Sequence, residues 1–202
     1  MPVSIIHTYF SAFTDLQLAQ MNGLEKVYKE WNDQINVISR KDIDSLYLKH
    51  VLHALSIATV YDFAAGTSVI DIGTGGGFPG VPLAIYFPDV EFVLVDSIGK
   101  KLKVIDAVCS QLKIENITTI HSRAEDIKTQ KFDVAVSRAV APLKNLWQWT
   151  KPLLRKSKNK DAVNGLICLK GGDLAAEISE SGLHPQVFEI SDIFKEEWFM
   201  EK

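Results

Sequence analysis

Val69-Ile-Asp-Ile-Gly-Thr-Gly-Gly-Gly-Phe-Pro-Gly80 decides the fold of this chain. Val69, Ile70 and Ile72 make a short run of β-branched apolar residues, the composition of a buried parallel strand. At Gly73 the run breaks into glycines, and Pro79 then opens a helix, where its missing N–H leaves no bond unmade. Strand, glycine turn and helix in that order let a backbone approach an adenosine-type ligand with no Cβ in the way. A plain tight turn would use the same residues. The spacing is acidic-x-Gly-x-Gly-x-Gly from Asp71 to Gly77. The dinucleotide pattern G-x-G-x-x-G differs, since its third glycine falls one residue later. Asp71, one residue inside the strand end, is placed to meet a cationic group.

Outward from this stretch the chain alternates strand and helix. A strand over 92–95 ends at Asp96, which lies 23 residues beyond Gly73. An acidic side chain there either accepts bonds from both ribose hydroxyls of a nucleoside or caps the next helix, a role open to Ser97 too. The helix from Lys100 to Leu112 turns Leu102, Ile105 and Val108 inward and Lys100, Lys101 and Lys103 outward. A strand over 117–120 leads into His121-Ser-Arg-Ala-Glu-Asp126. The next, over 132–136, ends in Ser137-Arg138-Ala139, and Pro142 opens an amphipathic helix through Leu143, Leu146, Trp147 and Leu153. After a basic loop, Arg155 to Lys160, a strand over 165–169 ends at Lys170-Gly-Gly. A helix over 173–181 and a strand around Val187–Ile190 complete the pattern. Such units imply an α/β fold, a parallel sheet with helices on both faces, whose ligand lies across the carboxyl ends of the strands. Gly73 to Phe78, Asp96, Ala124 to Asp126, Arg138 and Lys170 all fall at those ends.

Residues 1–66 read as a helical extension and 67–202 as a Rossmann-like domain. Thr14-Asp-Leu-Gln17 has the form of a capping box, and Leu16, Leu24, Val27, Tyr28, Trp31 and Ile35 recur at helical spacing. A second helix from about Asp44 carries Leu46, Leu48, Val51, Leu52, Leu55 and Ile57. His50 and His53, three apart on its face, read as partly buried, hydrogen-bonded histidines or as ligands. Cys109 and Cys168 read as reduced core thiols rather than a disulfide, and the five histidines show no metal spacing with cysteine. No run approaches the roughly 20 apolar residues of a membrane span, and the N-terminus has no export signature, so a cytoplasmic protein is expected. A formal net charge of −3 argues against bulk attraction to polyanions.

The glycine spacing matches the S-adenosylmethionine loop of methyltransferases, with Gly73, Gly75 and Gly77 as candidate cofactor contacts. More specifically, the chain resembles the RsmG family, the bacterial small-subunit ribosomal RNA guanine-N7 methyltransferases formerly called glucose-inhibited division protein B. The likeness rests on Trp31-Asn-x-x-x-Asn36, Asp71 to Leu83, Leu94-Val-Asp-Ser97 with Gly99-Lys-Lys, Ser137-Arg-Ala139 and Leu169-Lys-Gly171. It implies a class I methyltransferase with S-adenosylmethionine as donor, S-adenosylhomocysteine as product, and a guanine of small-subunit ribosomal RNA as acceptor. It further implies cofactor contacts at Gly73, Phe78, Ala124, Glu125 and Arg138, with Asp96 as ribose partner on the general methyltransferase pattern. The chain departs from the family twice. His50-Val-Leu-His53-Ala54 stands where His-x-x-Asp-Ser is frequent, and residues 197–200 stand where a final edge strand begins, as a short remnant or a truncation.

Guanine N7 has an in-plane lone pair and needs no deprotonation, so alignment carries the reaction. No Asn/Asp-Pro-Pro-aromatic tetrad and no Pro-Cys nucleophile follow the strand over 132–136. Arg138 is the candidate catalytic residue, holding the guanine or its phosphate through its fork, unless it is a structural partner of Asp71 or Glu125. The expected partner is ribosomal RNA or a ribosomal particle, met by a monomer without metal or membrane. Another methyltransferase, a nicotinamide-dependent dehydrogenase and a non-catalytic adenosine-binding assembly factor are the rival readings.

Overall fold

The computed structural model describes residues 2–128, 130–156 and 162–201. Five parallel strands, β1 (Ser68–Ile72), β2 (Glu91–Asp96), β3 (Ile117–His121), β4 (Val134–Arg138) and β5 (Gly165–Leu169), lie in the order β3-β2-β1-β4-β5. The chain starts in the centre, winds outward through β2 and β3, then crosses back to β4 beside β1. The strand order reverses between β1 and β4, so a crevice opens outside their carboxyl ends.

β1 is buried at every position, as a central strand covered on both faces must be. Its alternate residues serve opposite faces. Val69 joins Phe92, Leu94, Val134 and Val136 in one cluster, while Ile70 and Ile72 join Val95, Ala135 and Leu146 in another. The first cluster is much the larger. It takes in α1 (Ser4–Tyr9), α2 (Asp15–Asn32), α3 (His53–Val60), α4 (Gly80–Tyr86) and α5 (Gly99–Leu112), through residues such as Ile6, Leu24, Tyr28, Leu55, Val81 and Ile105. The second lies under α6 (Leu143–Thr150).

The capping box at Thr14 forms: Gln17 N–H donates to the Thr14 hydroxyl at 3.3 Å, and Thr14 N–H donates to Gln17 Oε1 at 2.8 Å. Gln17 Nε2 also donates to the carbonyl oxygens of Ile85 and Tyr86, at 2.8 and 3.1 Å, which satisfies the end of α4. Leu24, Val27 and Tyr28 are buried as the spacing requires, but Leu16 is 57 % exposed.

Four expectations need correction. The helix expected from Asp44 is three pieces: a 3-10 turn over Ile43–Ser45, a π-helical turn over Tyr47–Leu52, and α3. The fourth strand begins two residues later than its apolar run, because Phe132 pairs with Leu154 and Asp133 bonds to Ser68 before the ladder starts. Arg138 is consequently the last residue of β4. No strand forms around Val187–Ile190, where Val187 and Phe188 are 53 % and 41 % exposed. A short helix, α8 (Ile190–Ile193), follows α7 (Ala175–Ser181) instead. Finally, 197–200 is not a remnant strand but the helix α9 (Glu197–Met200). The physical reason is burial against helices rather than a sheet edge: Phe194 packs on Tyr9 of α1, and Phe199 packs on Phe194 and on His53 of α3. Tyr9 Oη donates to Glu196 and accepts Lys195 N–H at 3.0 Å, which anchors it. No helix among the described residues is long and apolar enough to cross a membrane.

Candidate active site at the carboxyl ends of the strands

Asp71 shapes the glycine loop from beneath. Its Oδ2 accepts the Thr74 hydroxyl at 2.7 Å and Gly80 N–H at 2.9 Å, tying the start of the turn to the start of α4. The sequence placed Asp71 to meet a cationic group. The structure buries it completely, with Oδ1 unpartnered, and burial pushes its carboxyl up to about 6. Thr74 N–H donates to Val95 O at 2.9 Å, and Gly77 and Phe78 N–H close the turn on Thr74 O.

Gly75 is the open point of the loop. It has φ +59°, a conformation that favours glycine, and a Cβ there would meet nothing nearer than Gly73 O at 4.0 Å. Gly73, at φ +65°, faces the opposite situation: its Cβ would lie 2.6 Å from Val140. Val140 and Ile98 are 41 % and 42 % exposed at the ends of β4 and β2, leaving an apolar side chain beside the loop on each flank. Gly77, the third glycine of the motif, is buried against Val81 and Tyr28.

Asp96 braces both the glycine loop and the approach to α5. Oδ2 accepts Gly75 N–H at 2.9 Å and Oδ1 accepts Ile98 N–H at 2.8 Å, while Lys101 Nζ stands 3.6 Å away. Ile98, not Ser97, occupies the cap position of α5, without a side-chain bond. A carboxylate oxygen with one N–H bound retains a second acceptor direction, so Asp96 remains able to receive hydroxyls.

Phe78 is 3 % exposed and central to a stack. Tyr28 and His50 lie against it at ring-centroid distances of 5.1 Å, and the Arg138 guanidinium sits over its ring at 5.2 Å. With the side chain so enclosed, only the Phe78 backbone is left to face the crevice. Arg138 forms no ion pair with Asp71 or Glu125 among the described residues; instead Nη2 reaches His50 Nδ1 at 3.0 Å and Nη1 donates to Lys49 O at 3.4 Å. Burial lowers the Arg138 pKa and the Asp71 carboxyl opposes that shift. A guanidinium stays cationic regardless. Ala124 is buried in the 3-10 turn Ala124–Asp126, whereas Glu125 is exposed and 4.0 Å from Arg123. Lys170 Nζ donates to Ala141 O at 2.9 Å and pairs with Glu177, which also accepts Leu143 N–H. That network pins the loop carrying Ala139, whose φ of +49° is rare for a residue with a side chain, and Val140.

Five residues take part in ways the sequence did not assign. Tyr28 Oη donates to Gly76 O at 2.6 Å, and Val37 packs on Gly76. Asn32 holds the segment bearing Val37, its Oδ1 accepting Val37 and Ile38 N–H at 2.9 Å. Val140 wedges against Gly73. His50 reaches Arg138, while His53, three residues on, turns to Trp198 and Phe199. The one available signal was the His50–His53 pair, and the π-helical turn, with its i→i+5 bonding, splits the face the two would share on an α-helix. Cys109 and Cys168 are free thiols that burial pushes up to about 12, the state of inert packing groups. No group of three or more metal-ligating side chains occurs among the described residues.

Two cavities lie away from this crevice. One of about 580 Å³ opens between α3, β5, α7 and residues 185–200, and another of about 680 Å³ beneath Thr14, Phe92 and Ile114. Neither includes the glycine loop, Asp96 or Arg138 in its walls, so chemistry rather than volume locates the site.

A family model described as rRNA small subunit methyltransferase G matches residues 17–195. "Ribosomal RNA small subunit methyltransferase G" of Christiangramia forsetii is 46 % identical over 202 residues, covering 100 % of this chain and 95 % of that protein. The protein of the same name from Porphyromonas gingivalis is 51 % identical over 98 % of this chain and 90 % of its own length. A third, from Cytophaga hutchinsonii, is 47 % identical over 98 % and 95 %.

Proposed function

The chain belongs to the rRNA small subunit methyltransferase G family, and we propose that it transfers a methyl group from S-adenosylmethionine to N7 of a guanine in small-subunit (16S) ribosomal RNA, releasing S-adenosylhomocysteine. The observation that carries the chemistry is the open side of Gly75 beside Asp96, with the Arg138 fork on the far side of the same crevice. When bound, S-adenosylmethionine supplies an electrophilic sulfonium methyl, which guanine N7 attacks through its in-plane lone pair with no proton to remove.

The residues divide that task. Gly73, Gly75 and Gly77 let the backbone close on the cofactor, and Asp96 accepts the ribose hydroxyls while its other bonds fix it. Ala124, Glu125 and the Phe78 backbone would complete the cofactor's enclosure. Arg138 keeps N–H groups uncommitted after its bonds to His50 and Lys49. They suit guanine O6 or a flanking phosphate, which would hold N7 in line with methyl carbon and sulfur. A general base is unnecessary, and neither buried group beside Arg138 is arranged as one: His50 is held neutral with its Nδ1 occupied, and Asp71 is sealed below the loop.

The substrate is read as a small ribosomal particle or its precursor, met by a monomer in the cytoplasm. Calorimetry with S-adenosylmethionine against NAD, followed by methyl transfer to small subunits and mapping of N7-methylguanine, tests the whole reading. Tight NAD binding, or cofactor binding with no methyl transferred, overturns it.

A further inference from the structure

We propose that His50 is a positioning residue for Arg138, its Nδ1 lone pair holding the guanidinium over Phe78 in the orientation the acceptor guanine requires. This rests on the role given to Arg138 above. An arginine can only donate, so the 3.0 Å contact between Arg138 Nη2 and His50 Nδ1 fixes the imidazole as acceptor. That places the proton on Nε2 and makes the ring neutral. Nε2 is buried and has no partner among the described residues. A leucine would fill such a place without stranding a donor, so packing gives no reason for an imidazole here. The bond to Arg138 does.

The surroundings also keep the ring neutral. Burial, Arg138, Lys49 and His53 all disfavour a charged His50, and only Asp42 favours it. The balance lowers its pKa to about 3, so the lone pair stays available throughout the neutral range. Geometry narrows the purpose further. Nδ1 of His50 and the carbonyl of Lys49 come from adjacent residues of one π-helical turn and grip two nitrogens of one guanidinium. Phe78 touches both partners, 5.1 Å from the His50 ring and 5.2 Å from the Arg138 guanidinium. Two anchors and a platform restrict rotation of the fork that a long side chain would otherwise enjoy.

The test compares His50→Leu with His50→Asn, whose amide oxygen can replace Nδ1 as acceptor. Single-turnover methyl transfer to small subunits, S-adenosylmethionine affinity by calorimetry and Tm are measured for each. His50→Leu should slow transfer roughly 10- to 100-fold, with cofactor affinity and Tm little changed, and His50→Asn should recover most of the rate. Placed on Arg138→Ala, His50→Leu should cost nothing further, since the two act as one unit. Equal losses in both backgrounds, or failure of Asn to rescue, would overturn the positioning role. If Arg138→Ala itself transfers methyl normally, the reading of Arg138 fails instead, a separate result. A third measurement needs no variant: nitrogen NMR of the native protein should show a neutral imidazole protonated on Nε2 from pH about 5 to 8. A charged ring, or a proton on Nδ1, overturns the proposal even if a variant fails to fold.

Discussion

Gly75 and the pair His50–Asp71 each invite a test by substitution. Gly75 is free of neighbours but held at φ +59°. Gly75→Val should therefore abolish S-adenosylmethionine binding and also destabilise the fold by about 1–3 kcal/mol, the cost of a β-branched residue in that region. Calorimetry and urea unfolding read the two effects separately, and normal affinity in a folded variant would remove the loop from the cofactor site. His50 and Asp71 make opposite contributions to stability against pH. His50 is harder to protonate folded than unfolded, so its contribution is complete above pH 6.5 and lost as pH falls towards about 3. Asp71 is easier to protonate folded, so its contribution is complete below pH 3.8 and lost as pH rises through about 6. Between those limits the two oppose each other. In His50→Asn, unfolding free energy should fall more steeply from pH about 4 to 6 than in the native protein, and in Asp71→Asn it should rise, by at least about 1 kcal/mol each. Identical slopes in all three proteins would refute both assignments.

α2 illustrates how an element far away in sequence becomes part of the crevice. Its capping box and apolar face are local properties, and they set Tyr28 against the sheet. The consequence is not local: Tyr28 Oη bonds Gly76 O from 48 residues away. Burial raises the phenol well above its usual pKa, so it remains a donor at every pH the protein meets. Tyr28→Phe keeps the ring that packs on Phe78 and strands the Gly76 carbonyl. It should cost about 1–3 kcal/mol of stability and weaken cofactor binding through a looser loop. Calorimetry would expose the error if affinity were unchanged while stability fell, since the bond would then serve the core alone.

Net charge and the distribution of cations decide what kind of RNA this molecule can use. The chain carries −3 overall, and two cations from its basic patches are already engaged, Lys101 with Asp96 and Arg155 with Asp133. In the basic loop Arg155 to Lys160, Lys156 is exposed and residues 157–160 lie outside the described residues. Arg40, Lys41, Lys100 and Lys103 are exposed, enough for a handful of phosphates, and such contacts weaken steeply with salt. Recognition then depends on the shape of a folded RNA surface presenting one base. Intact small subunits should be methylated faster than stripped ribosomal RNA, with the gap widening across a salt series. Equal rates at physiological salt would rule this out.

The glycine spacing, the acidic strand end at Asp96 and the alternation of strand and helix were legible in the sequence by itself. Parallel topology then gathers the carboxyl ends of β1, β2 and β4 on one side of the sheet, which is why Gly75, Asp96 and Arg138 could be placed near one another before any coordinate. The partners of those residues were not. Arg138 and His50 lie 88 residues apart, and their meeting depends on a π-helical turn that apolar periodicity does not announce. Asp71 reads as a ligand-facing acid until Thr74 and Gly80 fold over it. The sequence around Val187–Ile190 reads as a strand, yet the chain there turns towards α1 and α3, where Phe194 is buried on Tyr9 and Phe199 on Phe194 and His53. Backbone periodicity is a local property of the chain, whereas the partner of a buried polar group is set by what packing brings within about 3 Å of it.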